Sequence, residues 1–373
     1  MHLRPSMRAS ALAVALLGAA PVAAAAQAQW TLRETLRIGG SDTGAAAFVS
    51  VRAVDADARG QILVLDRRTQ DIRMFAPDGR LVRTIGRVGS GPGEMRNAEG
   101  MVIASDGRIW VRDAANARFT VFEPNGDFHK SWTTKFCWSQ GVWHPQPDQR
   151  GRIIDVDCVV EPGRGRRDLV LGYRTDMSGV DTLSARAECG DPRLSEAGTW
   201  VLRAEKSTTY FSIPFAAFPI GTIGPAGEVW CVANSSRYAI ERLLPDAKDT
   251  IRIARNVPAR PVTKAERDSI IASHTQKGPS PLDFGRIPRT KPVIDRIIID
   301  DQGRPWVRRT TPQGAVIFDV FDVSGRLVAT AEFTGAVRSP AFLPFVVRGN
   351  AVYTVLLDDD DLQYVVRFEI ARR

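Results

Sequence analysis

Short apolar runs that follow a turn residue recur along the chain and predict β-strands. In six places a Gly or Asn lies three positions before a large apolar residue inside such a run. Runs of this kind, bounded by turn residues, are typical of strands. The six apolar residues are separated by 47, 44, 76, 76 and 47 residues, which indicates one repeated β-rich unit with insertions in its third and fourth steps: Leu63, Trp110, Ile154, Trp230, Trp306 and Tyr353.

The first two repeats align without a gap at an offset of 47 residues. Residues 62–66 match 109–113, and Asp78-Gly79 matches Asn125-Gly126. Asp-Gly and Asn-Gly favour tight hairpins because both tolerate positive φ angles. Each repeat therefore supplies three antiparallel strands after a first, inner strand. Four strands at a period in the forties are typical of a propeller blade, so the pattern predicts an all-β, six-bladed β-propeller of four-stranded blades.

Part of the second repeat resembles a known family. The segment from Asp113 through Asn116 and Arg118 to Phe122 is similar to the D-x-x-N-x-R-I-x-V-F core of NHL repeats, and residues 85–93 resemble that family's glycine-rich inter-blade segment. The similarity is strongest over 51–132, and it implies an exported six-bladed propeller of the NHL/TolB-like superfamily. The first repeat lacks the Asn and Arg of the motif, so we interpret Asn116 and Arg118 as scaffold residues of one hairpin, with ligand contact as the alternative.

The two ends of the chain predict how the ring closes. Residues 30–39 resemble the fourth strand of the first repeat, whereas the last repeat, from Phe345 to Ile370, ends one strand short. We therefore expect the N-terminal strand to complete the last blade and to remove its exposed edge.

One segment departs from the β pattern. Thr263 and Glu266 form a capping-box pattern that predicts a helix from Lys264 to His274, and the four prolines of residues 277–292 predict an irregular loop. Its few apolar residues suffice for one stripe against a β surface and not for a separate core. We expect the insertion, at about 258–292, to lie outside the ring and to form a partial lid over one face.

The N-terminus has the pattern of a cleavable signal peptide. Arg4 and Arg8 precede an apolar stretch of 12 residues, and Ala26-Gln-Ala28 offers a cleavage site. The stretch is too short for a stable membrane helix, although an uncleaved anchor is the alternative. We expect residues 1–28 to be removed, residues 29–373 to form the domain, and the mature chain to be periplasmic or secreted, without a transmembrane segment.

Charge and cysteine content narrow the class of partner. The formal net charge is +8, but the 43 Arg and 7 Lys are scattered among 42 acidic residues, which argues against nucleic-acid binding. We expect a monomer.

Four cysteines in an exported chain allow three disulfide connectivities, with buried free thiols as the alternative for the second and fourth: Cys137, Cys158, Cys189 and Cys231.

Several motifs favour structural roles over catalytic ones. His129, His144 and His274 do not recur between repeats, and we interpret His144 as a loop histidine. The glycines of residues 86–93 open no helix, so an inter-blade turn is favoured over a phosphate loop. Residues 358–361 are four contiguous aspartates, for which a solvated hairpin tip is favoured over a calcium loop. Five other aspartates beside hairpins are expected to bond turn amides: Asp55, Asp57, Asp106, Asp300 and Asp301.

The hairpins between second and third strands face one mouth of the channel, where propeller ligands usually bind. The sequence predicts a mixed, arginine-rich rim there, suited to carboxylate or phosphate groups: Asp66, Arg67, Arg112, Asp113, Asp157, Asn234, Arg237, Arg308 and Arg309.

These observations favour a non-catalytic binding module over an enzyme. No arrangement of nucleophile, base and orienting group is visible in the sequence. We expect a protein, peptide or anionic small molecule as partner and no cofactor. The alternative is a metal-assisted hydrolase or lyase of the lactonase type, with calcium held by about four inward-pointing Asp, Asn, Glu or His side chains in the channel.

Overall fold

A computed structural model describes residues 28–41, 43–134, 145–161, 165–184, 189, 196–244, 250–276, 281–311 and 315–372. Residues 1–27 of the predicted signal peptide lie outside these ranges, as do Cys137, His144 and the side chain of Cys158. Within the ranges, no helix is both long and apolar enough to cross a membrane.

The strands group into six units of four, which we number 1 to 6 along the chain. Strand β1 (Ala28–Gly39) precedes them. Unit 1 contains β2 (Val51–Ala56), β3 (Ile62–Asp66), β4 (Asp71–Phe75) and β5 (Leu81–Ile85). A short parallel pair, β6 (Arg87–Val88) and β7 (Glu94–Met95), leads to unit 2. Unit 2 contains β8 (Ala98–Ile103), β9 (Ile109–Asp113), β10 (Arg118–Phe122) and β11 (Phe128–Thr133).

Units 3 and 4 are separated by a two-stranded hairpin. Unit 3 contains β12 (Gln146–Pro147), β13 (Arg152–Glu161), β14 (Gly165–Arg174) and β15 (Val180–Ser184). The hairpin pairs β16 (Thr199–Ala204) with β17 (Ser207–Ser212). Unit 4 contains β18 (Ile220–Ile223), β19 (Val229–Val232), β20 (Ala239–Leu243) and β21 (Thr250–Ala254).

Helix α1 (Lys264–Thr275) follows unit 4 and precedes the last two units. Unit 5 contains β22 (Ile294–Ile299), β23 (Pro305–Arg309), β24 (Ile317–Phe321) and β25 (Leu327–Phe333). Unit 6 contains β26 (Phe345–Arg348), β27 (Ala351–Leu357), β28 (Gln363–Arg372) and the N-terminal β1.

The predicted repeat is confirmed. The six apolar residues that define it lie in the second strand of six different units, and all are buried: Leu63, Trp110, Ile154, Trp230, Trp306 and Tyr353. The turn glycine before each of the first five has positive φ, as at Gly60 (77°) and Gly107 (82°). In unit 6 the left-handed residue is Gly349 (57°) and not the predicted Asn350, so this hairpin turns one residue earlier.

Strand β1 completes the last unit, as predicted from the sequence. It pairs antiparallel with β28, from Trp30 opposite Arg372 to Gly39 opposite Tyr364. Its first five residues also pair in parallel with β25, which joins units 5 and 6 into one eight-stranded sheet. The parallel pairing was not predicted, because it depends on tertiary proximity and leaves no local pattern.

Apolar clusters join the units in succession. Separate buried clusters link unit 1 to 2, 2 to 3, 3 to 4, 4 to 5 and 5 to 6. A further cluster contains both Val355 of unit 6 and Val64 of unit 1, so the succession returns to its start. Each interface between neighbouring units is therefore an apolar core. Burial of its side chains away from water holds the two units together.

Helix α1 begins where the sequence predicted but packs differently. The Thr263 hydroxyl accepts a hydrogen bond from the Glu266 amide, and the Glu266 side chain accepts one from the Thr263 amide, which confirms the capping box. The expectation of a single stripe without a separate core is wrong. Ile270 packs into a small cluster whose buried members come from both insertions, Trp200 and Ile213 from the first and Leu282 and Ile287 from the second.

One disulfide is present in the described ranges. Cys189 bonds to Cys231, with Cα atoms 5.4 Å apart, and ties the insertion before unit 4 to strand β19. The free-thiol alternative for Cys231 is therefore wrong.

The connectivity defines two faces of the molecule. Because strands within a unit are antiparallel, the loop into a first strand and the hairpin between second and third strands lie at the same end, which we call the upper face. Neighbouring units touch there: the Val51 amide donates to Gln363 Oε1 (2.7 Å), and Arg67 Nε donates to Asn97 Oδ1 (2.9 Å). Helix α1 and the β16–β17 hairpin both belong to loops of this face.

Candidate functional site

A charged residue interrupts the first strand of three units at the same position. The pairing of first and second strands shifts by one residue near the upper end of units 1, 2 and 5. The residues inside the shifts are partly exposed and are Arg52, Glu99 and Asp295. A bulge of this kind re-aims a side chain, and bulges are common beside binding sites.

These three residues were not predicted from the sequence, although the repeat contains a pattern that indicates two of them. Arg52 and Glu99 are separated by the same 47 residues that align the first two repeats, and both follow a small or apolar residue at the start of an inner strand. A charge at a repeated position of an otherwise apolar strand is the pattern that would have found them.

Arginines surround Glu99 at the upper ends of units 1 and 2. Arg52 Nε donates to the Glu99 carbonyl (3.0 Å), and Asn97 connects Arg67 to the Glu99 carboxylate, with Asn97 Nδ2 2.9 Å from Oε1. Burial lowers the pKa of Arg52; Glu99 opposes that shift, whereas the positive charges of Arg67 and Arg112 add to it. The guanidiniums therefore repel one another, and one glutamate offsets them only in part.

Arg112 continues this group toward unit 3. It is 2% exposed, and its Nη1 lies 3.2 Å from Oδ1 of the fully buried Asp155, while Nη2 donates to the Val156 carbonyl (3.4 Å). Burial raises the pKa of Asp155 to about 6, although Arg112 opposes the shift. The structure thus places Arg112 at the seam between units 2 and 3, behind the surface formed by Arg52 and Arg67.

The predicted rim aspartates lie inside the units. Asp66 is fully buried and accepts hydrogen bonds from the amides of Val49 (2.9 Å), Ser50 (3.2 Å) and Arg68 (2.9 Å). Asp113 and Asp157 occupy the same position in the next two units, three residues after the repeated apolar residue, and both are buried. The Asp113 carboxylate accepts from the Arg96 amide, and that of Asp157 accepts from the Thr134 hydroxyl. The three carboxylates hold the loops that lead into their own units.

Arg118 and Asn116 bind the glycine-rich loop. Arg118 donates to the carbonyls of Ser90 (3.1 Å), Gly91 (2.9 Å) and Glu94 (2.9 Å), and its Nε lies 3.0 Å from the Asp113 carboxylate. Asn116 Nδ2 donates to the Gly89 carbonyl (3.0 Å). Because the loop turns its carbonyls toward these donors, it is built as an inter-unit turn, which supports the scaffold interpretation of both residues.

A second charged group lies at the upper end of unit 5. Arg308 Nε is 3.5 Å from Asp295 Oδ1, and Arg296 donates to the Leu343 carbonyl of unit 6. Burial raises the pKa of Asp295 to about 6, against the effect of both arginines, yet 28% of its side chain remains exposed. Burial also lowers the pKa of Arg296 to about 10, and the Arg308 charge adds to that shift.

Arg309 points away from this group. Its Nε lies 3.4 Å from Oδ1 of the buried Asp319, which also accepts from Arg255 and from the Tyr238 hydroxyl. The other two predicted residues lie in the hairpin of unit 4. Asn234 Oδ1 accepts from the Ser236 amide and hydroxyl, and Arg237 is exposed, so the structure does not bring either residue to the arginine groups in the part of the chain that it describes.

The remaining candidates have local partners. His129 Nδ1 is 2.6 Å from Glu123, and the ring of His274 packs against Trp200. Asp358 accepts from the amides of Asp360 and Leu362, as a turn residue does. In the described ranges, no group of three or more His, Cys, Asp or Glu side chains is arranged to hold a metal ion.

The turn aspartates divide into two kinds. Asp57, Asp106 and Asp300 accept from amides of their own hairpins, as expected. Asp55 and Asp301 instead join units: Asp55 makes a two-point ion pair with Arg348 of unit 6 (2.9 and 3.1 Å), and Asp301 accepts from the Gly349 amide.

Comparison with known proteins supports the fold. A family model, DUF5128, which is described as a 6-bladed beta-propeller, matches residues 48–138. The fold is a β-propeller. The NHL/TolB-like resemblance stays a prediction. A search of curated proteins found no match.

The solved structures to which this chain is similar have low sequence identity to it. A DUF4221 member from Bacteroides vulgatus is 11% identical, with a TM-score of 0.46, over 93% of this chain and 100% of that one. Catalytically inactive virginiamycin B lyase from Staphylococcus aureus, solved with quinupristin, is 14% identical, with a TM-score of 0.38, over 91% and 88%. The calcium-binding protein regucalcin from Agrobacterium tumefaciens is 13% identical, with a TM-score of 0.37, over 91% and 96%.

Proposed function

We propose that the protein is an exported, non-catalytic six-bladed propeller that binds an anionic ligand at its upper face. Each unit is one four-stranded blade, and β1 closes the ring between the last blade and its neighbour. The succession of apolar clusters from unit 1 to unit 6 and back supports this arrangement. A closed ring is rigid and removes sheet edges, which suits a scaffold that presents loops and inner-strand residues to a ligand.

The observation that carries the proposal is the position of charged residues on the inner strands. Arg52, Glu99 and Asp295 occupy equivalent bulges near the upper ends of three first strands, and all three are partly exposed. Each carboxylate has more than one arginine beside it: Arg52 and Arg67 near Glu99, and Arg296 and Arg308 near Asp295. We call these six residues the mouth group. Its net charge is positive, and its guanidiniums are partly desolvated.

That chemistry favours a ligand with carboxylate or phosphate groups. A guanidinium presents a planar fork of donors that matches two oxygens, and its charge-assisted hydrogen bonds are roughly twice as strong as neutral ones. The carboxylates Glu99 and Asp295 lie beside the arginines but repel an anionic ligand, so attraction of an anion depends on the four arginines that outnumber them. The arrangement of guanidiniums beside two carboxylates supports ligand binding, which is therefore the function proposed.

Two observations support export. The first is the N-terminal pattern of Arg4, Arg8 and the apolar stretch that ends at Ala28. The second is the disulfide between Cys189 and Cys231, because structural disulfides persist in oxidising compartments. N-terminal sequencing of protein recovered from outside the cytoplasm should begin at Gln29. Recovery of the intact N-terminus from the cytoplasmic fraction would contradict this part of the proposal.

A melting-temperature screen tests the binding proposal. We expect citrate, succinate and phosphate to raise the melting temperature, and a neutral sugar at the same concentration to leave it unchanged, because ligands stabilise the state to which they bind. Arg52→Gln should reduce the rise for citrate and succinate. Arg59→Gln is the matched control, because Arg59 is exposed in the hairpin at the lower end of the same unit. Equal responses of both variants and the parent would contradict the proposal.

Metal analysis separates this function from the lactonase-type alternative. Stoichiometric calcium in purified protein, with a fall in melting temperature on chelation, would favour the enzyme.

A further inference from the structure

One buried carboxylate holds two arginines and a tyrosine at the seam between units 4 and 5. Asp319 is fully buried in strand β24. The Tyr238 hydroxyl donates to its Oδ2 (2.7 Å), Arg255 Nη1 donates to the same oxygen, and Arg309 Nε lies 3.4 Å from Oδ1. All three partners lie at the upper face, since Tyr238 and Arg309 flank hairpins between second and third strands and Arg255 follows the last strand of unit 4.

The charges of this group do not balance. One carboxylate faces two guanidiniums, so the group carries a net charge of about one positive unit at neutral pH. Arg255 is 31% exposed and Arg309 is 26% exposed, so both reach solvent. Each guanidinium has five N–H donors, and Asp319 is the one acceptor found for either side chain in the described residues. Several donors on each arginine therefore remain for a bound group.

The arginines are also held in place before any ligand arrives. The Arg255 guanidinium lies over the Tyr238 ring, 5.5 Å from its centroid, and the hydroxyl of that ring is bonded to Asp319. Burial and the neighbouring Asp319 charge raise the pKa of Tyr238, so the hydroxyl keeps its proton and remains a donor. Burial lowers the pKa of Arg255, but Asp319 outweighs burial and the net shift is upward. Fixed donors lose little side-chain entropy when they bind an anion.

We propose that Arg255 and Arg309 form a second oxyanion site, which binds a single carboxylate or phosphate group between the two guanidiniums that Asp319 orients. The site is distinct from the mouth group although Arg308 precedes Arg309 in strand β23, because successive side chains of a strand point to opposite faces and the two arginines pair with different carboxylates, Asp295 and Asp319. A purely structural role would need only one guanidinium to neutralise Asp319, whereas two partly exposed guanidiniums leave an unsatisfied positive charge toward solvent.

Calorimetric titration of the mature protein with inorganic phosphate and, separately, with acetate tests the site at low ionic strength. Arg255→Gln should weaken binding at this site by at least about tenfold, because it removes half of the charged donors. Arg309→Gln should have a similar effect. Both variants leave Asp319 with one arginine and Tyr238, so folding is expected to survive, and their melting temperatures check this. Arg252→Gln is the matched control, because Arg252 lies on strand β21 just before Arg255 and 76% of its side chain is exposed.

Three outcomes would overturn the proposal. The parent binds neither anion, or both Arg255→Gln and Arg309→Gln bind as the parent does, or Arg252→Gln has the same effect as they have. Phosphate binding without acetate binding, or the reverse, identifies the anion class. The mouth group is tested independently by Arg52→Gln, which should leave this second site intact, so the two proposals fail in different variants.

Discussion

At the residue scale, one pair of equivalent positions carries its carboxylate on different strands in two units. In unit 2, Asp113 on the second strand accepts from the Thr120 hydroxyl on the third. In unit 5 the equivalent positions are Arg309 and Asp319, so the carboxylate lies on the third strand and its partner on the second is an arginine. Residue type and repeat position were visible in the sequence. The direction of each side chain was not, which is why the predicted rim combined buried aspartates with partly exposed arginines.

The buried network of Asp113 provides a stability prediction. Asp113→Asn puts an amide among the donors Asn116, Arg118 and Thr120, which leaves Arg118 without its carboxylate. We expect a loss of about 3 kcal/mol in the free energy of unfolding, measured by urea denaturation. Asp127→Asn is the control, because Asp127 is exposed, and it should change stability by less than about 0.5 kcal/mol. Equal effects would contradict the scaffold role of Asp113.

Asp295 provides a pH prediction. Burial raises its pKa from 3.8 to about 6, so the folded state keeps a proton that the unfolded chain releases between these values. The stabilisation is therefore complete below pH 3.8 and is lost as pH rises through 6. Asp295→Asn cannot titrate, so its stability relative to the parent should increase across this window. A constant difference between variant and parent, followed by denaturation at several pH values, would show that the pKa of Asp295 is not raised.

At the element scale, the elements predicted correctly from the sequence are those with a local signal such as a turn residue or a helix cap. The second strands, their hairpins and helix α1 carry turn residues or a capping box, and all were predicted. The β16–β17 hairpin was missed because its turn at residues 205–206 is Glu-Lys, which gives no turn signal. The missed hairpin supplies Trp200, and for that reason the small cluster under α1 was also missed.

Strand β1 is expected to be essential for the last two units. A chain that begins at residue 41 loses the buried side chains of Trp30, Leu32 and Ile38 and exposes edges of β25 and β28. The lost burial is worth roughly 5 kcal/mol, which corresponds to a fall of about 10 °C in melting temperature, with aggregation through the free edges. The reference is a chain that begins at residue 28. Equal melting temperatures would contradict the closure of the ring by β1.

The insertion around α1 should be separable from the ring. Replacing residues 262–291 with a short Gly-Ser linker removes Ile270, Leu282 and Ile287 from the small cluster but leaves the clusters between units intact. We expect cooperative unfolding to persist, while limited proteolysis cuts the hairpin at 199–212, which has lost its cover. If the insertion is a lid, ligand binding at the upper face also changes. Loss of the folded ring would show that the insertion belongs to the scaffold.

At the scale of the whole molecule, the position of a residue in the repeat predicts whether it is buried but not what its function is. The period predicted six units, the two chain ends predicted their closure, and apolar clusters lie between the units. The charged bulges at Arg52, Glu99 and Asp295 break the apolar pattern at one position of the repeat. Arg67 and Arg308 of the mouth group were predicted from the sequence, whereas the other four members become apparent when the units are compared in strand register.

Binding of an anionic ligand by the mouth group can be measured by calorimetric titration with citrate. The comparison is between the parent, the double variant Arg52→Gln and Arg67→Gln, and the control Arg59→Gln. We expect citrate to bind the parent and the control with the same affinity and to bind the double variant at least about a hundredfold more weakly, since each lost charge-assisted pair costs about tenfold. Equal citrate affinity in all three proteins, or no binding to the parent, would contradict the proposal.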